Sequence, residues 1–289
     1  MLASCQTSQP LNRPMGYYIT INVGNTLVHY CLHNAEVLVH TWTSPHTSKT
    51  YPDPSTLLPT IPGHPTAFNS PTPVYIISVV PAETSSLQSL FPDSTTFSNT
   101  TFFPPSLNGY ATLGIDRAAA LHAAITLSPA TPVLVIDAGT ALTTTVSQGD
   151  GKFGGGQICP GLRTMFRALA NNTAMLPDLD MILLGKEIIG HATSNTTYPR
   201  FATDTATSIK SGIFYSAAAG VRASILAFHL AKPGEPASVY FTGGDGEALL
   251  HLVRSVAPGD KLPKNVELEF RKDLIHVAMQ EKVVSGVLT

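Results

Sequence analysis

One strand-turn-strand unit, present twice, constrains this chain more than any other feature. The later copy, Val133 to Val146, reads Val-Leu-Val-Ile-Asp-Ala-Gly-Thr-Ala-Leu-Thr-Thr-Thr-Val. Its aliphatic run predicts a buried strand, Asp-Ala-Gly-Thr a tight turn, and the β-branched residues behind it a second strand. Gly139 lets the backbone approach a ligand, and Thr140 offers a hydroxyl. Asp137 sets a carboxylate at the strand's end, where it can hold a cation or a metal-bound water. Alone, such a stretch is more often an ordinary hairpin than a nucleotide loop. The earlier copy, Ile19 to Tyr30, reads Ile-Thr-Ile-Asn-Val-Gly-Asn-Thr-Leu-Val-His-Tyr and matches Asn22 to Asp137, Gly24 to Gly139 and Asn25 to Thr140. Two such turns imply a duplicated domain, and two facing copies would clamp a triphosphate from both sides.

The chain's 289 residues accommodate two lobes of roughly 100 to 150 residues each. The repeat sets them at 17–129 and 130–289, with 1–16 as a disordered extension and Met15 as an alternative start. Charged residues make up 12% of the chain and the formal net charge is −2, against about 25% charged in an average soluble protein. With no Lys/Arg cluster, neither a nucleic-acid footprint nor a membrane-surface patch is expected. Cys5, Cys31 and Cys159 are too few and too scattered for a disulfide framework or a CxxC metal site, which favours a reducing, cytoplasmic setting. No apolar run reads as a membrane span of about 18 residues, and Met1 to Pro14 lacks the pattern of a secretory signal.

After a third strand, Val37 to Trp42, the segment 45–73 holds 8 of the chain's 23 prolines, which rules out a regular helix of any length and predicts a surface insertion. Val74 to Val80 returns to a strand. Pro81-Ala-Glu-Thr opens a helix with Leu87, Leu90 and Phe91 on one face, and Thr95 to Phe103 predicts another strand. The alternating order is α/β.

Ala118 to Leu127 is strongly helical, which places Gly114-Ile-Asp-Arg on the loop entering it. Asp116 then has two readings. It is an N-cap beside a solvated Arg117, the commoner fate of an aspartate in such a place. Alternatively it is half of a catalytic pair, the helix dipole keeping it ionised while the guanidinium grips a substrate carboxylate. Gly154-Gly-Gly-Gln-Ile-Cys-Pro-Gly predicts a flexible loop leading to a helix that ends near Ala170. A long apolar helix covers 205–231, where Gly212, Gly220 and the small residues between them suit close packing or a dimer contact. A strand at 238–242, the turn Gly243-Gly-Asp-Gly and a helix at 247–256 follow; strand, Gly-Gly, helix can receive a nucleoside but is also a common βα loop. Among the ten histidines no HExxH zinc motif occurs, and neither a Gly-x-Ser-x-Gly elbow nor a Walker-type GxxxxGK[ST] is present.

Taken together, Val23-Gly24-Asn25-Thr26, Leu113-Gly114-Ile115-Asp116-Arg117, Ile136 to Ala141, Gly155-Gly156-Gln157-Ile158-Cys159-Pro160-Gly161, Thr173 to Pro177, Ser211-Gly212 and Thr242-Gly243-Gly244 resemble the type III pantothenate kinases, the Bvg accessory factor family. The resemblance runs from about Tyr17 to Gly246. It implies the actin-like ATPase fold: two duplicated ribonuclease-H-like lobes with a nucleotide cleft between them. It further implies that ATP phosphates lie against Asn22, Val23, Gly24, Asn25, Thr26, Leu27, Val28 and His29, with Thr140 touching ATP from the second lobe. Asp137 would bind the monovalent cation, K⁺ or NH₄⁺, and Mg²⁺ would accompany ATP. Gly114, Ile115, Asp116 and Arg117 would line the pantothenate pocket with Tyr110 and Thr205, Asp116 being the general base. Members act as homodimers, which suggests the helix around Gly212 to Gly220 as the subunit seam. Asn22 stands where the family usually carries aspartate, and His29 where it often has a basic residue. The alternatives to pantothenate phosphorylation are a degenerate member that binds nucleotide or a protein partner without turnover, and a kinase for another small hydroxy compound.

Overall fold

The computed structural model describes residues 16–46, 72–179, 199–255 and 262–287. The extension 1–15, nearly all of the Pro-rich insertion 45–73 and the apolar run Met181 to Leu184 lie outside them.

Two sheets carry the architecture. The first joins β1 (Tyr17–Val23), β2 (Leu27–Asn34), β3 (Val37–Pro45), β4 (Val74–Ser78) and β5 (Thr95–Thr96) in the order β3-β2-β1-β4-β5. The second joins β6 (Pro132–Ala138), β7 (Ala141–Gln148), β8 (Gly156–Pro160), β9 (Ala237–Thr242) and β10 (Val266–Phe270) in the order β8-β7-β6-β9-β10. In each, the first three strands are antiparallel neighbours and the last two run parallel to the first. The duplication expected from the repeated turns is thus a duplication of topology, and the chain is α/β with two lobes of one design.

The helices are α1 (Pro81–Leu90), α2 (Asn99–Phe102), α3 (Ile115–Leu127), α4 (Leu162–Asn172), α5 (Thr205–Ala231), α6 (Gly246–Ser255) and α7 (Leu274–Ser285). They do not follow a division at 129/130. Of the described residues, one compact unit takes those up to Phe102, Gly114–Ala119 and those from Ile275 onward; the other takes Phe103–Leu113 and Ala120–Leu274. The closing strand β10 and helix α7 were not anticipated at all.

Local chemistry explains the other departures. Thr95 to Phe103 does not stay extended. The Ser98 hydroxyl bonds those of Thr100 and Thr101 at 2.7 and 3.2 Å, and the Ser98 N–H donates to Thr101 Oγ1. These local bonds draw the backbone into α2 instead of a ladder. Leu90, expected on the buried face of α1, is 49% exposed, while Leu87 is buried. The stretch after Gly155 is an edge strand, not a loose loop: β8, Gly156–Pro160, pairs along β7, and Gly154 N–H donates to Val146 O ahead of it.

The first sheet's core is Ile19, Ile21, Val23, Val28, Tyr30, Leu32, Val74 and Ile76. These are the alternate positions of β1, β2 and β4, so the opposite face of β1 and β2 is left to Tyr18, Thr20, Asn22, His29, Cys31 and His33. The second unit's core gathers Leu134, Ile136, Phe214, Val239, Phe241, Leu249 and Val253 among others. Helix α5 matches its expected bounds. As a continuous helix it is long and apolar enough to cross a membrane by length and composition, contrary to the reading that no stretch qualifies. Its Ile213, Phe214, Ala217, Ala218, Val221 and Ile225 are nevertheless buried in that core. The small residues of α5 divide by face: Ala217 and Ala218 point inward, whereas Gly212, Ser216, Ala219 and Gly220 are exposed.

Candidate active site

The two turns begin at equivalent places. Asn22 and Asp137 are each the sixth residue of a seven-residue central strand. Asn22 pairs with His29 and Ile77, Asp137 with Thr143 and Thr242. The turns then differ by one residue, because Gly24 N–H closes onto Leu27 O at 3.0 Å whereas Gly139 N–H closes onto Ala141 O at 3.0 Å. Neither turn glycine is demanded by packing. A Cβ at Gly24 would meet nothing nearer than Leu27 O at 3.4 Å, and one at Gly139 nothing nearer than 3.8 Å. What these glycines provide is an unobstructed backbone beside exposed Asn25, Thr26 and Thr140, the surface a phosphate needs.

Asn22 adds a polar feature of its own. Its side-chain oxygen is buried and has no hydrogen-bond partner among the described residues. A buried acceptor left unmade is costly, so this oxygen suits a water or a hydrated cation. As an amide it brings no charge to that task.

The second turn is braced by neighbours in its own unit. Gly161 N–H and the Thr164 hydroxyl both donate to Thr140 O, at 3.0 and 2.6 Å. A Cβ at Gly161 would collide with Gly139 O and come within 3.0 Å of Thr140 O. Behind Asp137, Gly243 has φ +85°, and a Cβ there would strike Asp137 Oδ1 and lie 2.6 Å from Ala138 O. Asp245 N–H donates to Ala138 O at 2.9 Å, and its carboxylate, 7% exposed, faces Arg163 Nε at 3.6 Å. Burial raises the Asp245 carboxyl above the usual carboxylate range, and Arg163 pulls it back. Asp245 and Arg163 were not singled out as functional from sequence; the acid inside Gly243-Gly-Asp-Gly was the available signal. The all-oxygen set at Asp137 and Ala138 suits a hard cation such as K⁺.

Gly114 to Arg117 sits differently from expectation. Helix α3 begins at Ile115, with Ala118 N–H bonded to Gly114 O at 3.0 Å, so only Gly114 precedes it and Asp116 lies in the first turn rather than at the N-cap. Asp116 Oδ1 accepts the Arg117 N–H at 2.8 Å. A Cβ at Gly114 would lie 2.7 Å from that same oxygen, so glycine makes room for the carboxylate. Burial raises the Asp116 carboxyl, outweighing the lowering by the Arg117 N–H and guanidinium. Desolvation is therefore the larger effect on this carboxyl. Arg117 is 8% exposed, not a solvated neighbour. Tyr110 is half exposed, its ring edge-on to Phe153 at 5.4 Å. Thr205 is exposed at the first turn of α5, whose N-cap Asp204 accepts the Thr207 N–H at 2.9 Å.

The family model for type III pantothenate kinase matches residues 18–226. The chain belongs to the type III pantothenate kinase family. A type III pantothenate kinase of Synechococcus elongatus is 32% identical over 237 residues, covering 81% of this chain and 87% of the relative. One from Synechocystis sp. is 30% identical over 264 residues, covering 91% and 88%. Among solved structures, the ethanolamine utilization protein EutJ from Carboxydothermus hydrogenoformans aligns over 96% of this chain and 91% of that one at 12% identity and TM-score 0.47. A ROK family glucokinase from Streptomyces griseus aligns over 92% and 98% at 14% identity and TM-score 0.46. The family match spans both repeated turns, the Leu113 to Arg117 segment and Thr205.

The bracing of the second turn gives a direct test. Gly161→Ala must push the Gly139–Thr140 backbone aside, and a displacement of that size costs about 10- to 100-fold in a positioned reaction. The Michaelis constant for ATP should rise and that for pantothenate should not. An unchanged ATP constant in a folded variant would show that this turn does not contact the nucleotide.

Proposed function

We propose that this chain transfers the γ-phosphoryl group of ATP to the primary hydroxyl of pantothenate, giving 4'-phosphopantothenate, the first step of coenzyme A biosynthesis. The observation that carries the reading is the family match over residues 18–226, which contains every residue assigned a substrate, cation or catalytic role below.

Asn22 to His29 and Thr140 hold the ATP phosphates through open backbone and hydroxyl groups, each turn fixed by its own strand pair. Gly114, Ile115, Arg117, Tyr110 and Thr205 take pantothenate, the Arg117 guanidinium pairing with its carboxylate. Asp116 accepts the hydroxyl proton as the oxygen attacks. Its raised carboxyl suits that work, since a base is most effective with a pKa closer to the working pH. Mg²⁺ and a monovalent cation at Asp137, when bound, offset charge on the phosphoryl oxygens.

We place the enzyme in the cytoplasm as a homodimer. Neither Cys31 nor Cys159 forms a disulfide. The exposed stripe of α5, Gly212, Ser216, Ala219 and Gly220 continuing to Leu226 and Leu230, offers a helix surface on which a second copy can pack closely. Nothing in the composition calls for nucleic acid or membrane as a partner.

Asp116→Asn should leave ATP binding nearly intact and lower kcat by about 10²- to 10⁴-fold. Because the base works ionised and burial raises its pKa, wild-type kcat should fall as pH drops, with the acid limb above that of an ordinary aspartate. Wild-type turnover in Asp116→Asn would remove the catalytic role.

The cation reading is checked by replacing K⁺ with Li⁺ at equal ionic strength. The ATP constant should be lower in K⁺, and equality would argue against a cation at Asp137.

Asn22 retains an acceptor without charge, and losing an outer-shell group of this kind costs about 10- to 100-fold in metal affinity or activity. Asn22→Asp should therefore raise kcat/KM at low Mg²⁺ and matter less at saturating Mg²⁺. If neither form consumes ATP in response to pantothenate while both bind nucleotide, the chain is a binding protein and not a kinase.

A further inference from the structure

The first unit buries a second group of reactive side chains away from the turn backbone. Antiparallel pairing sets Thr20 opposite Cys31 and Tyr18 opposite His33, so all four leave the sheet on the face that the apolar core does not use. Helix α7 brings His276 to that face. One donor atom from each of Cys31, His33 and His276 lies within 4.8 Å of the other two, and no carboxylate belongs to the cluster. Cys31 and His33 are fully buried and His276 is 6% exposed.

Hydrogen bonding does not exhaust these groups. Thr20 Oγ1 lies 2.8 Å from His33 Nε2 and 2.7 Å from His276 Nδ1. Its oxygen can accept an N–H from each ring, which leaves the other nitrogen of each ring as a lone pair. His33 Nδ1 is buried with no hydrogen-bond partner among the described residues, an arrangement that is expensive unless a ligand satisfies it. The Tyr18 ring stacks on His33 at 4.7 Å and fixes its plane.

We propose that Cys31, His33 and His276 form a buried structural site for a thiophilic d¹⁰ metal ion, Zn²⁺ or Cu⁺. One thiolate and two imidazoles are donors this class prefers. Thr20, bonded to both rings, is the outer partner that sets their tautomers. Both imidazoles are buried, so little water competes for their nitrogens. A single thiolate cancels the charge of Cu⁺ and half that of Zn²⁺, and uncompensated buried charge is disfavoured, so the two ions differ in how well the site suits them. Burial on every side leaves no place for a substrate. The bound ion would join α7 to β2, and Thr20, 256 positions from His276, precedes Asn22 by two residues on the same strand face. Loading therefore stiffens the strand that carries the first nucleotide turn.

The test needs no activity measurement and is independent of the proposed reaction. Full-length protein produced with zinc or with copper and purified without chelator should carry about one ion per chain by elemental analysis. The ion retained after exposure to both identifies the preferred metal. In Cys5→Ser/Cys159→Ser, where Cys31 is the only thiol left, Co²⁺ should give thiolate-to-cobalt charge-transfer absorption. Adding Cys31→Ser should abolish that band, and His276→Gln should reduce bound metal to background. Removing the metal should lower the thermal midpoint of the wild type. Metal retained in Cys31→Ser overturns the proposal, as does a folded double variant with neither stoichiometric zinc or copper nor a cobalt band. Should Cys31→Ser fail to fold, the bound zinc or copper and the cobalt band of the double variant decide together.

Discussion

The turn between β6 and β7 depends on the absence of two side chains. Gly161 and Gly243 let separate segments, the entry to α4 and the exit from β9, press onto the backbone between Asp137 and Thr140 at distances no Cβ would permit. Close approach turns a two-residue hairpin loop into a fixed shape: the Thr140 carbonyl is held by two donors, and the Ala138 carbonyl by Asp245. A preorganised turn need not be ordered when a ligand arrives, and that saved ordering is available to binding. Gly24 and Gly139 work in the opposite way, since nothing in the fold crowds them and their missing side chains serve what approaches from outside.

In the first unit the equivalent strand divides labour between its faces. Ile19, Ile21 and Val23 go into the apolar core, while Tyr18, Thr20 and Asn22 face the other way. That second face is the unusual one. It is covered without being apolar, and its polar groups bond one another and α7, while His33 Nδ1 and Asn22 Oδ1 have no partner among the described residues. Gln280 also donates to the Glu36 carbonyl, so the last helix is fastened to the first sheet by polar contacts at more than one point.

Desolvation decides the electrostatics at three places. It lifts Asp116 against an adjacent guanidinium and a backbone N–H, lifts Asp245 against Arg163, and lowers both His33 and His276. In each case the neutral form gains because the group has left water, which is the larger effect once a side chain is buried. For Asp116 this raises the carboxyl above that of an exposed aspartate. For the two histidines it produces neutral nitrogens.

The repeated turn was legible because it is local: an aliphatic run, an acid or amide, and a glycine fix a strand and its exit within a few residues, and the matching strand orders follow. The bounds of α5 were equally plain from an uninterrupted apolar, helix-favouring stretch. Where β-prone residues met competing side-chain bonds, as at Ser98 to Thr101, composition misled, because the hydroxyl network wins only when its geometry closes. The helical position of Asp116, the burial of Arg117 and the ion pair of Asp245 depend on what lies nearby in space, so no spacing rule revealed them. The meeting of Cys31, His33 and His276 is the furthest case. Sequence set the first two on one strand face by their two-residue interval, but only the packing of α7, 256 positions from Thr20, could add the third, because a contact between distant segments is determined by the whole fold and leaves no periodic trace in either.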